Sequence, residues 1–147
     1  VTRHELALAV QYESRAEGLP GRAQIRRWVA AALEYPAEIT VRIVDADEAR
    51  RLNRDYRDKD YVPNVLTFEY GEIRPGVLGG DVVLCAPVIE AEARAQGKRL
   101  RDHYAHLTVH GVLHLQGYDH QTAADAVIME AREIAILKRF KISNPYQ

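Results

Sequence analysis

The sequence predicts an α+β fold of about four strands and five helices, and three observations predict it. Short runs that alternate apolar and polar residues lie within the first 85 positions, apolar residues at helical spacing dominate the remainder, and Gly and Pro punctuate the joints between these segments. No repeat, low-complexity tract or linker-like stretch interrupts residues 1–147, so one continuous domain is expected.

Leu6 to Tyr12 alternates like a half-buried strand, and Pro20 to Leu33 places Ile25, Trp28, Val29, Ala32 and Leu33 on one helical face. Glu38 to Val44 sets Ile39, Val41 and Ile43 on one strand face, and Asp47 to Tyr56 reads as a helix with its arginines outward. Val65 to Tyr70 and Asp81 to Cys85 are short apolar runs joined by a Gly- and Pro-containing connection of hairpin length, which predicts an antiparallel pair. Pro87 suits the first turn of a helix ending near Gly97, and a further helix runs from Arg101 to Gln116 before Gly117. Thr122 followed by Asp125 resembles a capping box for a last helix, with Val127, Ile128, Ala131, Ile134, Ala135 and Leu137 as its buried stripe up to Phe140.

The composition, 47% hydrophobic and 28% charged, is that of an ordinary globular chain and excludes disordered and fibrous classes. Cys85 is the single cysteine, so an intramolecular disulfide is excluded and a cytoplasmic location is expected. Charges break the stretch from Val1 to Gly18 every few residues, which fits neither a signal peptide nor a membrane span. A net charge of −1 lacks the overall basic balance of a nucleic-acid binder, so any such role must come from local patches.

The informative segment is HLTVHGVLHLQGYDH, His106 to His120, which holds four of the six histidines. At about 100° per residue His110 and His114 project from one helical face a turn apart, where both imidazoles can reach one ion. Gly117 then ends the helix and lets the chain bring His120 back over that face. Three imidazoles with a fourth position left to water describe a catalytic zinc site with one ion per chain, whereas structural sites close all four positions and usually recruit thiolates. Zinc makes hydroxide available at neutral pH, so hydrolysis is the reaction class expected. Nickel, copper and iron also accept imidazole ligands. His106, one turn earlier on nearly the same face, could be a fourth ligand, a partner to the ligands or a proton carrier, of which the partner is favoured; Asp119 reads as a group orienting a ligand or the metal-bound water or as a turn residue, and His103 and His4 as solvated or locally hydrogen-bonded. Taken singly, a histidine is more often a surface or core side chain than a ligand. The spacing from His110 to His120 coincides with the metzincin pattern H-E-x-x-H-x-x-G-x-x-H, but Gly111 stands where those peptidases keep their general-base glutamate.

HGVLHLQGYDH resembles the signature of the YbeY family of zinc-dependent endoribonucleases. LNRDYRDKDYVPNVLTF, from Leu52 to Phe68, is similar to the family's other signature, and GGDVVLC at Gly79 to Cys85 and MEAREIAIL at Met129 to Leu137 agree in the same order. Two positions depart from it: Pro63 stands where the family usually has threonine, and Thr67 replaces a serine. Proline removes a backbone donor and constrains Val62, which puts in doubt any role for a hydroxyl at that position. The resemblance implies a small mixed four-stranded sheet covered by helices, with the three histidines at the end of the long helix opening into a cleft. It also implies a single-strand-specific endoribonuclease acting on ribosomal RNA, in 3′-end maturation of the small-subunit RNA and ribosome quality control, with the small ribosomal subunit as partner and no membrane.

The resemblance places Arg57 near the metal, where its fork can grip two phosphoryl oxygens as charge builds, beside His114 as the second catalytic residue. Arg50 and Arg54 share a helical face with Arg57 and read as a solvated face, while Lys98, Arg99 and Arg101 form a basic cluster that could touch the RNA backbone. Water is expected to attack, because a metal position stays open, with a 2′,3′-cyclic phosphate product as the contrary result. The alternatives are a zinc hydrolase of a peptide or small substrate, opposed by Gly111, and a non-enzymatic assembly factor whose metal holds the fold, motivated by the lack of an evident general base.

Overall fold

The computed structural model describes residues 4–147, so the first three positions of the N-terminal stretch lie outside the described residues. Nine elements follow in the order β1 (Leu6–Glu13), α1 (Arg22–Ala32), β2 (Ala37–Val44), α2 (Ala46–Arg57), β3 (Val65–Arg74), β4 (Val77–Cys85), α3 (Ala86–Gln96), α4 (Leu100–Leu115) and α5 (Ala123–Lys138). The expected four strands and five helices are all present. The strands form one mixed sheet in the order β1-β2-β4-β3, with β1, β2 and β4 parallel and β3 antiparallel to β4.

Strand β4 explains the sheet's two faces. Val82 and Leu84 point into the main core with Ile39, Val41 and Ile43, while Val83 and Cys85 join Val44, Ala49 and Leu66 on the other face beneath α2. A strand buried on both sides reads as a continuous apolar run, which is why VVLC lacks alternation. The hairpin is longer than the sequence predicts: β3 and β4 continue to Arg74 and from Val77, leaving Pro75 and Gly76 as the turn. The added residues Gly71 to Arg74 are exposed, so ladder hydrogen bonds extend the pairing there without an apolar signal.

The helix α4 is the central helix, with ten of its sixteen residues buried, including Tyr104, Leu107, Val109, Val112 and Leu113. It packs on β3 and β4 between α1, α3 and α5. Gly111 and Gly80 permit the close approach: a β-carbon at Gly111 would stand 2.8 Å from Val82 Cγ1, and one at Gly80 would stand 2.6 Å from Leu115 Cδ2 and 2.8 Å from the Phe68 carbonyl oxygen. The helix carrying the histidines is thereby pressed against the sheet.

The last helix corrects the sequence reading. The Thr122 hydroxyl does cap α5, accepting from the Asp125 amide at 3.1 Å. Of the expected stripe Leu137 is buried and Ile134 half-buried, but Val127, Ile128, Ala131 and Ala135 are exposed, and the buried face is Met129, Glu133, Ile136 and Leu137. Counting apolar residues favoured the wrong face because the true one carries a charged residue at its centre.

Candidate functional site

His110 and His114 lie one turn apart on the cleft side of α4, as their spacing requires. The helix then closes in a Schellman arrangement, in which the Tyr118 amide bonds to the Leu113 carbonyl at 3.2 Å and the Gly117 amide to the His114 carbonyl at 3.1 Å. Gly117 takes φ +101°, which a side chain would resist. Two anchors fix where the turn leads. Gln116 Nε2 donates to the Ala32 carbonyl at 2.8 Å, and the Tyr118 hydroxyl donates to Glu34 at 2.7 Å, so the exit loop is tied to the end of α1. His120 emerges from this loop, and the Asp119 carboxylate accepts its backbone N–H at 2.7 Å.

The three rings form a near-equilateral triangle, with centroids 5.7 Å apart for His110–His114, 5.3 Å for His110–His120 and 5.4 Å for His114–His120. One nitrogen from each lies within 4.8 Å of the other two, and no other histidine, cysteine or carboxylate joins the group among the described residues. A tetrahedral ion with Zn–N bonds of about 2.0–2.1 Å wants donors roughly 3.3 Å apart, a closure within reach of imidazole side-chain rotation. The donor set therefore fits a metal. Burial, with the adjacent His110 and His120, lowers the pKa of His114 and favours the neutral imidazole that a metal ligand requires.

The histidines form one wall of a cleft of about 390 Å³ whose other lining includes Arg57, Tyr61, Asn64, Thr67 and Asp119. Arg57 is the last residue of α2. Asp58, at φ 57°, caps that helix, and the Lys59 amide bonds back to the Asn53 carbonyl at 3.3 Å. Buried Asn53 also donates to the Tyr61 carbonyl at 3.1 Å, which folds the following loop against α2. Arg57 is exposed and forms no ion pair among the described residues. Arg50 is bound to Asp60 at 2.8 Å and Arg54 lies 3.6 Å from Asp55, so the first two arginines of that face are engaged on the surface. Of the two departures from the family pattern, Thr67 lines the cleft, whereas Pro63 is buried outside it.

Gly111 faces the sheet and not the cleft, so a glutamate there would meet Val82 and Thr67 before it met an ion. Lys98, Arg99 and Arg101 sit at the opposite end of α4, about 20 Å from His114 at 1.5 Å per residue. Lys98 is occupied by the Pro145 carbonyl at 3.2 Å and Arg101 by Asp102 at 3.3 Å. That cluster does not join the cleft.

Two further polar groups escaped the sequence reading. Of the two readings of His103 the hydrogen-bonded one holds, but with a partner the sequence did not name: the ring is 3% exposed and its Nε2 meets Glu92 at 2.9 Å, while Asn64 of the cleft donates to the same carboxylate at 3.1 Å. On the other side of α4, Glu133 meets His106 Nε2 at 2.8 Å, His110 Nδ1 at 3.3 Å and the Tyr146 hydroxyl at 2.8 Å. Burial would raise the Glu133 carboxyl, but the hydrogen bonds from His106, His110 and the Tyr146 hydroxyl outweigh it and hold the pKa at about 2. The signal for Glu133 was a carboxylate at helical spacing with Met129, Ile136 and Leu137; Tyr146 offered none.

Comparison with known proteins agrees with this architecture. A family model described as Endoribonuclease YbeY matches residues 13–141. A relative from Thiobacillus denitrificans, named Endoribonuclease YbeY, is 78% identical over 142 residues, covering 97% of this chain and 97% of its own. A relative of the same name from Nitrosospira multiformis is 55% identical over 97% of this chain and 82% of its own. The solution structure of a Thermotoga maritima protein shares the fold with a TM-score of 0.57 at 20% identity, over 91% of each chain. With a family model spanning most of its length and relatives this similar, the chain belongs to the Endoribonuclease YbeY family.

Proposed function

We propose that the chain is a single-strand-specific endoribonuclease that hydrolyses RNA phosphodiesters, with His110, His114 and His120 holding one zinc ion and Arg57 gripping the scissile phosphate. The observation that carries this reading is the meeting of three imidazoles and a cation without a carboxylate partner in one cleft. A bound zinc ion would supply Lewis-acid charge and a water activated at neutral pH. The protein's own contribution is positional and electrostatic. Arg57, at the end of a capped helix, presents five N–H donors in a plane that matches two phosphoryl oxygens, and its charge opposes the negative charge that builds there. Asn64, braced by Glu92, and Thr67 offer polar groups along the same wall.

Ribosomal RNA at the 3′ end of the small-subunit transcript, the small ribosomal subunit as partner and a cytoplasmic setting belong to this proposal; the family's description as an endoribonuclease supports the RNA substrate. No helix among the described residues is long and apolar enough to cross a membrane. Gly111 packed on the sheet disfavours a metzincin-type peptidase.

The test is cleavage of an unstructured, end-labelled RNA by wild type, Arg57→Ala and His114→Ala, each before and after chelation and zinc repletion. Wild type alone should cleave, lose activity with chelator and regain it with zinc. Equal cleavage by all three proteins would assign the activity to a contaminant and defeat the proposal. Ribosome binding that survives chelation, with no cleavage, would favour the assembly-factor alternative.

A further inference from the structure

The His110 ring touches a second polar cluster that lies behind the cleft. Glu133 is 0% exposed, set among Met129, Ile136 and Leu137 on the core face of α5. A carboxylate sealed in apolar surroundings is strongly unfavourable unless donors surround it. Here three surround it: His106 Nε2 and the Tyr146 hydroxyl at one oxygen, both at 2.8 Å, and His110 Nδ1 at the other, at 3.3 Å. A carboxylate accepting from all three requires a proton on each ring nitrogen that faces it. His110 then carries its hydrogen on Nδ1 and its lone pair on Nε2. Neither companion ligand has such a partner among the described residues: His114 Nδ1 stands 3.8 Å from exposed Glu69, beyond hydrogen-bond reach.

From this geometry we infer that Glu133 is a positioning residue of the metal site, fixing the tautomer and ring plane of His110 so that Nε2 is offered to the ion. His106 and Tyr146 hold the carboxylate in place from its other oxygen. The arrangement accounts for a charge kept inside an otherwise apolar helix face, and for His106 lying in line with the ligands without joining them. A histidine ligand whose distal N–H is held by a carboxylate binds metal more tightly, and removing such a partner typically costs about 10–100-fold in affinity.

The inference rests on the reading of the three histidines as ligands, and one set of measurements separates the two. Zinc affinity is measured on the full chain, stripped of metal, by competition with a fluorescent chelator, for wild type, Glu133→Gln, Tyr146→Phe and His114→Ala. Glutamine keeps the shape but turns one acceptor into an NH2 donor, so it cannot serve His110 and the His106–Tyr146 pair together. Glu133→Gln should bind zinc about 10–100-fold more weakly, Tyr146→Phe should lose affinity to a smaller degree, and His114→Ala should lose the most. Independently, long-range proton–nitrogen NMR of metal-free wild type at a pH where the ring is neutral should show His110 protonated on Nδ1. Wild-type affinity in Glu133→Gln, or an Nε2–H tautomer at His110 in the wild type, overturns the inference while a weakened His114→Ala leaves the metal site standing. His114→Ala binding zinc as tightly as wild type overturns both. If Glu133→Gln does not fold, Tyr146→Phe and the wild-type tautomer decide: unchanged affinity in the former or the wrong tautomer in the latter refutes the role.

Discussion

Gly111 is where fold and site constrain each other, and substituting it measures that constraint. A β-carbon at this position stands 2.8 Å from Val82 Cγ1 and 3.3 Å from Thr67 Cγ2. Val82 is wholly buried in β4 and β-branched, so it has little freedom to rotate away. Overpacking of this kind costs about 1–3 kcal/mol, while exchanging a helical glycine for alanine returns about 1 kcal/mol of helix propensity. Mid-range values leave Gly111→Ala destabilised by roughly 1 kcal/mol, a fall in Tm of about 2–4 °C for a chain of this size. Gly111→Glu restores the metzincin glutamate on paper, but adds to the same clash a carboxylate sealed between α4 and the sheet. Several kcal/mol for the stranded charge is comparable with the whole stability of a domain, about 5–15 kcal/mol. Thermal melts of the metal-free proteins by circular dichroism should therefore show a slightly lowered transition for Gly111→Ala and little or no cooperative transition for Gly111→Glu. A Gly111→Glu protein that melts within about 2 °C of wild type, or a Gly111→Ala protein more stable than wild type, would refute the close-approach argument and reopen the peptidase reading.

Arg57→Ala should slow RNA cleavage by about 10²–10³-fold, the usual cost of removing one group that stabilises transition-state charge, while zinc stoichiometry by metal analysis stays at one per chain; an unchanged rate would remove Arg57 from the reaction. His103 gives a pH signature. Burial, chiefly, lowers its pKa from 6.5 against the pull of Glu92, with His106 and Lys98 adding to the lowering, so the unfolded chain takes up this proton first. The stability tied to neutral His103 is thus complete above pH 6.5 and lost as the pH falls through the lowered value, and urea midpoints of wild type should fall more steeply across that window than those of His103→Gln; parallel curves would count against it. Thr122→Ala should cost about 0.5–2 kcal/mol through loss of the α5 cap, read as a lower urea midpoint with an unchanged m-value; no shift would mean the Asp125 amide finds another acceptor.

What the sequence revealed of the site is what lies close along the chain. His110 and His114 are linked by helix pitch and His120 by one glycine turn, so a short window of residues contains the whole histidine triangle. The facing wall is non-local. Arg57, Asn64 and Thr67 reach the cleft only because β3 runs antiparallel at the sheet edge beside β4, and for Arg57 a resemblance, not spacing, had to stand in for that topology. The misread face of α5 has a further lesson. Periodicity treats every charge as a mark of solvent, yet Glu133 sits at the centre of the buried stripe because His106, His110 and Tyr146 supply the donors that water would otherwise provide. The stripe Met129, Glu133, Ile136, Leu137 is fully helical in spacing once its carboxylate is admitted, and admitting it aims α5 at the histidine helix. In this chain, the residue that breaks the apolar pattern is the one that connects the core to the site.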